Sequence, residues 1–262
     1  MWDQGIPGRA HQAEPVIIVL RDPTRFPNWK QYPLKREARE GLQPSINKVL
    51  ACGLLVPTSS PCNTPTLSVK KKDGTWRLVQ DLRIINEAIV PLHPTVPHSY
   101  VILGEIPPSA KWFTVLDLRD AFFCIPLAKE SQYLFAFEWE APGEKHEQMT
   151  WTVLPQGFRD SPHLFGQALI QDLLLDLDLG PNGKILQYVD DLLICSPDEK
   201  SAQQHAIQVL NFLAERGYKV SRAKAQMVET KVTYLGVQIT HGSRSLSSDR
   251  VQGILQLPSP MT

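Results

Sequence analysis

The alternation of apolar and polar positions along the chain predicts several antiparallel strands. The stretch "WFTVLDL" is apolar on both faces, as expected of a buried central strand, and it stops at Asp117. Asp73-Gly74 favours a tight turn between the strands "TLSVKKK" and "TWRLV". Two more strands are expected around "YLFAFEW" and "QMTWTVL", and a last pair in "KVTYLGVQIT" and the residues after His241-Gly242.

Helical signals mark two longer segments. Residues 34–52 have a helical pattern interrupted by Pro44, and Gly53 is placed to end that helix. A second helix is predicted from Ser161 as its N-cap, with Pro162 at the first helical position and apolar residues recurring every four positions.

A third helix follows the capping-box pattern "SPDE" (196–199) and ends at Gly217. The stretch "LQYVDDLLIC" just before it has the pattern of a hairpin, and "RDAFFCI" that of a short helix. This order of elements predicts an α+β fold, an antiparallel sheet with helices packed on one face. In such a fold the end of "FTVLD" and the turn of "YVDD" can be neighbours.

Length and composition are those of an ordinary globular protein, with 262 residues of which 42% are hydrophobic and 21% charged. The longest aliphatic run near the N-terminus spans only residues 16–20, and residues 1–10 lack the order of a signal peptide. These features predict an intracellular, cytoplasmic protein. The four cysteines form no C-x-x-C pair and the histidines no H-E-x-x-H, so carboxylates are the better candidates for any metal.

Two neighbouring acids, Asp190 and Asp191, interrupt an otherwise apolar run. One interpretation places them at the solvated tip of a hairpin, where Asp is common. The other brings Asp117 beside them, and three clustered carboxylates then require a counter-cation such as Mg²⁺. Because successive side chains on a strand face opposite sides, we expect Asp190 to bind a metal more directly than Asp191.

The net charge of zero hides a weak asymmetry along the chain. The first 115 residues hold 14 Lys and Arg against 9 Asp and Glu, whereas the remainder hold 13 against 18. A basic part suits phosphate binding and an acidic part suits metal binding. Lys71 and Arg77 on the first hairpin are candidates for holding phosphates, although a lysine-rich hairpin tip is often only a solvated surface.

Five motifs occur in the order seen in retroviral reverse transcriptases. They are "TWRLVQDLRIIN", "FTVLDLRDAFF", "LPQGFRDSPHLF", "LQYVDDLL" and "VTYLGV". From about Pro15 to the C-terminus the chain resembles this family, most closely its gammaretroviral and endogenous-retrovirus type. The resemblance implies a right-hand polymerase fold of fingers and palm.

The resemblance also implies roles for individual residues. Asp117, Asp190 and Asp191 match the family's catalytic acids, which bind two Mg²⁺ ions, with Mn²⁺ as a possible substitute. The backbone carbonyl of Leu118 would lie near the metal. The implied contacts to the incoming dNTP are Lys71, Arg77, Asp120, Ala121, Phe122 and Gln156. The implied contacts to the primer are Tyr188, Val189, Leu235 and Gly236.

Some of these residues also have simpler interpretations. Phe122 matches the bulky side chain that excludes a ribose 2′-hydroxyl in the family, but its pattern alone indicates a core residue. Without the family, Tyr234 is a strand aromatic and Gly236 a bulge or bend. Asp81, Arg83 and Asn86 are interpreted as structural, with Asp and Arg bracing each other, or as supports on the template side.

The domain boundaries follow from the same resemblance. We expect an N-terminal extension over residues 1–30, fingers over 31–112 and 125–155, and palm over 113–124 and 156–262. The thumb, connection and RNase H parts of the family are expected to be absent. Because a polymerase without a thumb has less surface to hold duplex, weak primer-template affinity and short products are predicted for this chain alone. A monomer is also expected.

The functional hypothesis is an RNA-directed DNA polymerase that acts on an RNA or DNA template with a DNA primer and dNTP. Two alternatives remain open. One is a non-catalytic nucleic-acid-binding remnant of such an enzyme, and the other is a carboxylate-metal nuclease. A viral source would add the virion core as a location.

Overall fold

The computed structural model describes residues 2, 5–71, 73–92, 98–141, 143 and 146–256. They divide into two compact units. Residues 1–5, 95–119 and 166–262 form the aspartate unit, which contains all three candidate acids. Residues 6–94 and 120–165 form the basic-hairpin unit, which contains Lys71 and Arg77.

The strands and helices follow one another along the chain in a mixed order. The strands are β1 (Leu55–Pro57), β2 (Thr66–Lys70), β3 (Trp76–Gln80), β4 (Trp112–Asp117), β5 (Phe137–Glu140), β6 (His146–Trp151), β7 (Lys184–Tyr188), β8 (Asp191–Ser196), β9 (Gln226–Glu229), β10 (Lys231–Tyr234), β11 (Val237–Thr240) and β12 (Ser243–Leu246). The helices are α1 (Arg36–Ala51), α2 (Arg83–Ala88), α3 (Ser99–Gly104), α4 (Lys129–Gln132), α5 (Ser161–Asp176), α6 (Glu199–Glu215) and α7 (Ser248–Leu255). Short 3₁₀ turns cover Ala121–Cys124 and Tyr133–Phe135. The predicted α+β class is confirmed.

The predicted first helix of the basic-hairpin unit is confirmed as α1. Ala38, Leu42 and Ile46 recur at every fourth position and are buried, which fixes one face of the helix against the unit. The helix continues through Pro44 and ends before Gly53, whose φ of 67° suits a residue without a side chain.

The predicted β2–β3 hairpin is also present. Its turn is closed by a hydrogen bond from the Lys71 amide to the Thr75 carbonyl, 2.7 Å long. Asp73 accepts hydrogen bonds from the Thr75 amide and hydroxyl, and Gly74 has a φ of 83°. Asp-Gly therefore supplies both the side-chain acceptor and the left-handed residue that the turn requires.

A second sheet of the basic-hairpin unit has the order β1-β6-β5, with antiparallel pairs. One strand prediction was partly wrong, because Tyr133–Phe135 forms a 3₁₀ turn and the strand starts only at Phe137. Strand β1 of this sheet ends at Pro57, whose ring has no amide hydrogen to donate.

The aspartate unit is built on a four-stranded antiparallel sheet of order β7-β8-β4-β9. Phe113 pairs with Cys195 and Val115 with Leu193, so these four buried side chains share one face of the sheet. That face joins a hydrophobic cluster with residues of α3, β10 and β11. Helix α6 packs on β4, β8 and β9, and on the other face of the sheet the hydroxyl of Ser196 lies 2.8 Å from Nδ1 of His205.

A three-stranded sheet of order β10-β11-β12 completes the aspartate unit. Here the sequence prediction was partly wrong. The expected strand pair across His241-Gly242 is present as β11 and β12, but "KVTYLGVQIT" is two strands rather than one, with Tyr234 paired to Val237. Leu235 (φ 51°) and Gly236 (φ 75°) form the two-residue turn between them. Two successive left-handed residues match the twist of a hairpin, which is why a tight turn fits here.

Helix α5 begins within one residue of its sequence signal. Helix α6 begins two residues later than the "SPDE" pattern predicts, because Ser196 is the last residue of β8 and Asp198 is the N-cap. The Asp198 side chain accepts a hydrogen bond from the Ser201 amide at the start of α6. Helix α5 includes Ser161, and the Leu164 amide bonds to the Asp160 carbonyl. The predicted N-cap role of Ser161 was wrong, since its hydroxyl donates to the Pro155 carbonyl instead.

Two further expectations concern the cysteines and membranes. All four cysteines are free, and Cys62, Cys124 and Cys195 are buried. Burial raises the pKa of the Cys195 thiol to about 12. In the part of the chain that the structure describes, no helix has the length and apolar character required to cross a membrane.

Candidate active site

The antiparallel pairing of β4 and β8 brings two of the candidate acids together. Their register runs without interruption from Trp112 opposite Ser196 to Asp117 opposite Asp191. Regular alternation places Asp117 and Asp191 on the same face of the sheet, at the end of both strands. The predicted neighbourhood of "FTVLD" and "YVDD" is thus present within the aspartate unit.

Asp190 lies in the two-residue turn between β7 and β8. Tyr188 pairs with Asp191, which leaves Val189 and Asp190 as the turn residues. The Leu118 amide donates to the Asp190 carbonyl over 2.9 Å, so the turn is fastened to the residue that follows Asp117. Asp117 and Asp191 are consequently held by strand pairing, and Asp190 by the backbone hydrogen bond of its turn.

Val189 has a φ of 54°, an unfavourable conformation for a β-branched residue. Such strain costs about 1–3 kcal/mol and persists only where the surroundings impose it. The Gln187 side chain supplies one restraint, since its amide nitrogen donates to the Val189 carbonyl over 3.1 Å and to the Gly166 carbonyl over 3.0 Å.

Burial and mutual repulsion both act on the two acids of the turn. Burial raises the pKa of Asp191 to about 6, with further contributions from the charges of Asp190 and Asp117. The pKa of Asp190 is raised as well, again mainly by burial, with a smaller contribution from Asp117. The two carboxylates are therefore poorly compensated by the protein, and a cation beside them would stabilise their ionised form.

The structure supplies one such cation, Lys224. Its Nζ lies 2.8 Å from Asp117 Oδ2, and its charge acts on Asp190 and Asp191 too. The hydrogen bond to Asp117 raises the pKa of the Lys224 ammonium. An ammonium at this position shows that the oxygen atoms of the site attract positive charge.

The donor set fits a hard divalent cation. It consists of carboxylate oxygens, and Mg²⁺ commonly binds one or two carboxylates and completes its shell with water and phosphate oxygens. Within the described residues, no group of three His, Cys, Asp or Glu side chains is arranged to hold a metal ion by itself. A metal at this site would therefore depend on ligands beyond the protein's own carboxylates.

Leu118 is buried, and its backbone is paired with residues on both neighbouring segments. Besides its bond to Asp190, it forms an antiparallel bridge with Val220. The Arg119 amide donates to the Lys219 carbonyl, and the Ser221 amide donates to the Asp117 carbonyl over 2.9 Å. Segment 219–221 thereby extends the sheet next to the acids.

The candidate primer residues of the aspartate unit lie in or directly beside two hairpin turns. Tyr188 and Leu235 are partly buried and pack against the hydrophobic cluster, and Gly236 follows Leu235 in the β10–β11 turn. The neighbouring Tyr234 is buried, and its hydroxyl donates to the carbonyls of Asp191 (3.3 Å) and Leu186 (3.5 Å). Tyr234 therefore links the β10–β11 hairpin to the strand that carries Asp191.

The candidate phosphate residues of the basic-hairpin unit are exposed. Arg77 pairs with Val69, two residues before Lys71, so strand alternation puts Lys71 and Arg77 on the same face of the hairpin. The Arg77 guanidinium donates to the side-chain carbonyl of Gln156. The structure thus brings two of the candidate dNTP-binding side chains into contact.

The segment Asp120–Phe122 leads into the first 3₁₀ turn. Asp120 has a φ of 50°, and its carbonyl accepts the Phe123 amide. Ala121 is buried, whereas Phe122 is partly exposed and meets the Phe165 ring edge-on at 6.2 Å. Phe123 instead stacks on Trp151 at 5.1 Å. Phe122 and Phe123 therefore have different surroundings.

The interpretation of Asp81 and Arg83 as a brace is supported by their contacts. Arg83 donates from Nε to Asp81 Oδ1 (2.9 Å) and from Nη2 to Oδ2 (2.6 Å). Asp81 lies just before α2, and Arg83 is the first residue of that helix. Asn86 in that helix donates to the Gly157 carbonyl and accepts from the Arg159 amide.

Lys224 is the residue near the acids that sequence reasoning missed. Its segment "SRAKAQ" has no motif or periodicity that indicates a site. Its position follows from the pairing of residues 219–221 with the end of β4, which only the fold reveals.

Comparison with known families identifies this arrangement. The profile described as "Reverse transcriptase (RNA-dependent DNA polymerase)" matches residues 69–239, a range that includes all three aspartates. The chain belongs to the reverse transcriptase family.

Its relatives are retroviral polyproteins. It is 49% identical over 257 residues to the Gag-Pol polyprotein of Baboon endogenous virus (strain M7), covering 97% of this chain and 15% of the polyprotein. It is 48% identical over 260 residues to that of Avian reticuloendotheliosis virus, covering 98% of this chain and 22% of the polyprotein. The chain therefore spans less than a quarter of these relatives, and the retroviral type expected from the motifs is confirmed.

Solved structures give the same result for the fold. A foamy viral protease-reverse transcriptase in complex with double-stranded DNA is 30% identical, with a TM-score of 0.86 over 99% of this chain and 44% of that one. A foamy viral protease-reverse transcriptase in complex with an RNA/DNA hybrid gives a TM-score of 0.83 at 30% identity, over 99% of this chain and 33% of that one. The predicted fingers-palm polymerase fold is confirmed.

Proposed function

We propose that this chain is the fingers and palm part of an RNA-directed DNA polymerase. It transfers a nucleotide from dNTP to the 3′-hydroxyl of a DNA primer on an RNA or DNA template. The observation that carries the proposal is the pairing of Asp117 with Asp191 and the fastening of Asp190 beside them. Membership of the reverse transcriptase family supports it.

Asp117, Asp190, Asp191 and the carbonyl of Leu118 would hold Mg²⁺, with Mn²⁺ as a substitute. When bound, such ions activate an attacking hydroxyl and stabilise the leaving oxygen of an in-line displacement. The chain's own contribution is to hold the carboxylates in place, because each of them is fixed by strand pairing or by a backbone-bonded turn.

Lys71, Arg77 and Gln156 would bind the incoming dNTP. Both basic residues are exposed on one face of the hairpin and can reach phosphate oxygens, Arg through its planar fork and Lys as a point charge. The contact between Gln156 and Arg77 supports a shared role, since it restricts the guanidinium.

Asp120, Ala121 and Phe122 would contact the sugar of the nucleotide. The partly exposed ring of Phe122 would exclude a 2′-hydroxyl by its bulk, because a ring against C2′ leaves no space for another oxygen. The primer contacts would be Tyr188, Val189, Leu235 and Gly236, all of which lie at hairpin turns of the aspartate unit.

Nucleic-acid partners are part of the proposal. The related foamy viral enzymes were solved with double-stranded DNA and with an RNA/DNA hybrid, which supports primer-template binding. We assign residues 31–112 and 125–155 to fingers and residues 113–124 and 156–262 to palm, and we expect a monomer. The viral relatives support a cytoplasmic or virion-core location.

A single-nucleotide incorporation assay tests the function. The 262-residue chain is mixed with a labelled primer on matched RNA and DNA templates, one dNTP and Mg²⁺. The expected result is extension by one nucleotide, lost in Asp190→Asn. Extension by the unmutated chain that persists in Asp190→Asn contradicts the assignment of the acids.

The same assay separates the alternatives. A nucleic-acid-binding remnant binds primer-template without extending it. A carboxylate-metal nuclease shortens the primer or template with Mg²⁺ alone, without dependence on dNTP. Either outcome overturns the polymerase proposal.

A further inference from the structure

The backbone of Lys224 is held by hydrogen bonds, whereas its side chain is largely exposed. The Ser221 amide is bonded to the Asp117 carbonyl, and the amides of Lys224 and Ala225 return to the Ser221 carbonyl over 3.3 and 3.1 Å. This turn fixes the Lys224 backbone relative to β4. The side chain beyond it is 67% exposed, so no packing prevents the ammonium from moving away.

The partner of this flexible ammonium is held much more firmly. The Asp117 side chain is only 21% exposed and lies at the end of a central strand. An ammonium on a four-carbon stem is a compact point charge, unlike the fixed fork of Arg. The contact therefore resembles an ion beside a preformed anionic site more than a structural salt bridge.

The charges of the site explain why an ammonium lies there. Asp117 and Asp191 lie directly opposite each other where the strand pair ends, and the Leu118 amide fastens Asp190 beside them. Without any cation, the site would combine three partly buried carboxylates at the ends of two paired strands. One tethered positive charge reduces that repulsion without a bound metal.

We propose that Lys224 is a tethered counter-cation, which offsets part of the negative charge of the three aspartates in the metal-free protein and leaves Asp117 when a divalent cation binds. The inference rests on the metal site proposed above and adds a competitor from the chain itself. Two positive species cannot both occupy the same side of the Asp117 carboxylate. Lys224 should therefore weaken metal binding while stabilising the metal-free fold.

The first test measures metal binding in the absence of nucleic acid and dNTP. Isothermal titration calorimetry with MnCl₂ or MgCl₂ compares the unmutated chain with Lys224→Gln. The expected result is a metal affinity about fivefold to tenfold higher in the variant than in the unmutated chain. Lys224→Arg, which keeps the charge, should stay close to the unmutated affinity.

Lys231→Gln is the matched control for this titration. Lys231 is exposed on β10 and pairs with Thr240, at the end of the β10–β11 hairpin opposite to its turn. Its replacement therefore removes the same charge without removing the ammonium beside Asp117. A gain in affinity that is no larger in Lys224→Gln than in Lys231→Gln overturns the proposal, because it would reflect net charge alone.

The second test uses the unmutated protein and does not depend on how a variant folds. Acetic anhydride labels exposed amines, and mass spectrometry gives the labelling rate at each lysine. Saturating Mg²⁺ should increase the rate at Lys224 at least twofold relative to Lys231, because the ammonium no longer bonds to Asp117. An unchanged rate at Lys224 under metal saturation overturns the proposal.

Asp190→Asn separates failure of this inference from failure of the proposed function. If it weakens metal binding while Lys224 shows neither effect, the metal site stands and the role of Lys224 is wrong. If metal binding is independent of Asp190 in every variant, the proposed metal site fails and the inference falls with it.

Discussion

Asp117 is the cross-strand neighbour of Asp191, at the point where the antiparallel pair of β4 and β8 ends. Like charges directly opposite each other destabilise a sheet. We therefore expect Asp191→Asn to raise the stability of the metal-free protein by about 1 kcal/mol while lowering nucleotide incorporation about a hundredfold or more. Urea unfolding and the single-nucleotide assay measure the two effects.

Glu229→Gln is the control for that prediction, since Glu229 is an exposed acid on β9 in the same unit. It should change neither stability nor activity. Loss of stability in Asp191→Asn would show that the carboxylate is compensated in the metal-free fold, contrary to the raised pKa of Asp191.

A close approach in the basic-hairpin unit gives a prediction about stability alone. A side-chain carbon at Gly41 would lie 2.0 Å from Cδ1 of Trp76, so α1 contacts β3 only because position 41 has no side chain. We expect Gly41→Ala to lower the free energy of unfolding by about 1–3 kcal/mol through overpacking. Gly104→Ala in α3, where nothing lies within 4 Å, should be neutral or stabilising in the same urea titration. Equal behaviour of the two variants would contradict this account.

Much of the candidate site could be predicted from the sequence because its signals are local. The apolar run of "WFTVLD" and the hairpin pattern around Asp190 and Asp191 each define a strand end by periodicity and turn chemistry. Once both strands are buried and antiparallel, few arrangements keep Asp117 away from the hairpin. The pairing in β4 and β8 follows that logic.

The features that were not predicted from the sequence depend on contacts between residues that are distant along the chain. The β10–β11 turn was not predicted because Leu235 adopts a left-handed conformation without the usual Asn-Gly signature. Strand β9 pairs irregularly with β4, and Val228 within it has a φ of 54°, so its short segment shows no clear alternation. Lys224 was missed for the same reason, since its place is set by pairing and not by its neighbours in the chain.

The brace between Asp81 and Arg83 predicts a pH dependence of stability. The Arg83 hydrogen bonds hold the pKa of Asp81 below its ordinary value. A carboxyl whose pKa is lowered by folding contributes stability above its unfolded pKa of about 3.9 and loses it as pH falls through the folded pKa. The stability advantage of the unmutated chain over Asp81→Asn should therefore be constant from about pH 5 to 7 and shrink below about pH 4. Urea midpoints measured across this range give the test, and a difference that stays constant down to about pH 3 would count against the brace.

The strained turn at Val189 predicts an unusual response to glycine. In an ordinary strand position, replacing a β-branched residue by Gly loses packing and adds chain entropy. At Val189, Gly adopts the φ of 54° without strain, and this gain offsets the losses of packing and chain entropy. We expect Val189→Gly to leave the unfolding free energy within about 0.5 kcal/mol of the unmutated value, and Ile185→Gly in β7 to lower it by more than about 1 kcal/mol. Thermal melts of the two variants measure the contrast, and similar losses would show that the turn stores no strain.

The last prediction concerns the choice of sugar and uses two adjacent phenylalanines. Phe122 is partly exposed beside Phe165, whereas Phe123 stacks on Trp151 within the same unit. If Phe122 excludes the 2′-hydroxyl, Phe122→Val should raise the efficiency of ribonucleotide incorporation relative to dNTP by roughly 10- to 200-fold. This is the range expected when a pocket gains the space of a methylene group or more.

Phe123→Val should lower stability and leave the ratio of the two efficiencies unchanged, because it alters only the stacking on Trp151. Single-turnover incorporation of one dNTP and its ribonucleotide counterpart by both variants decides the matter. A ratio that changes equally in the two variants would assign sugar selection to the packing of the whole 3₁₀ turn and remove Phe122 from the proposed nucleotide site.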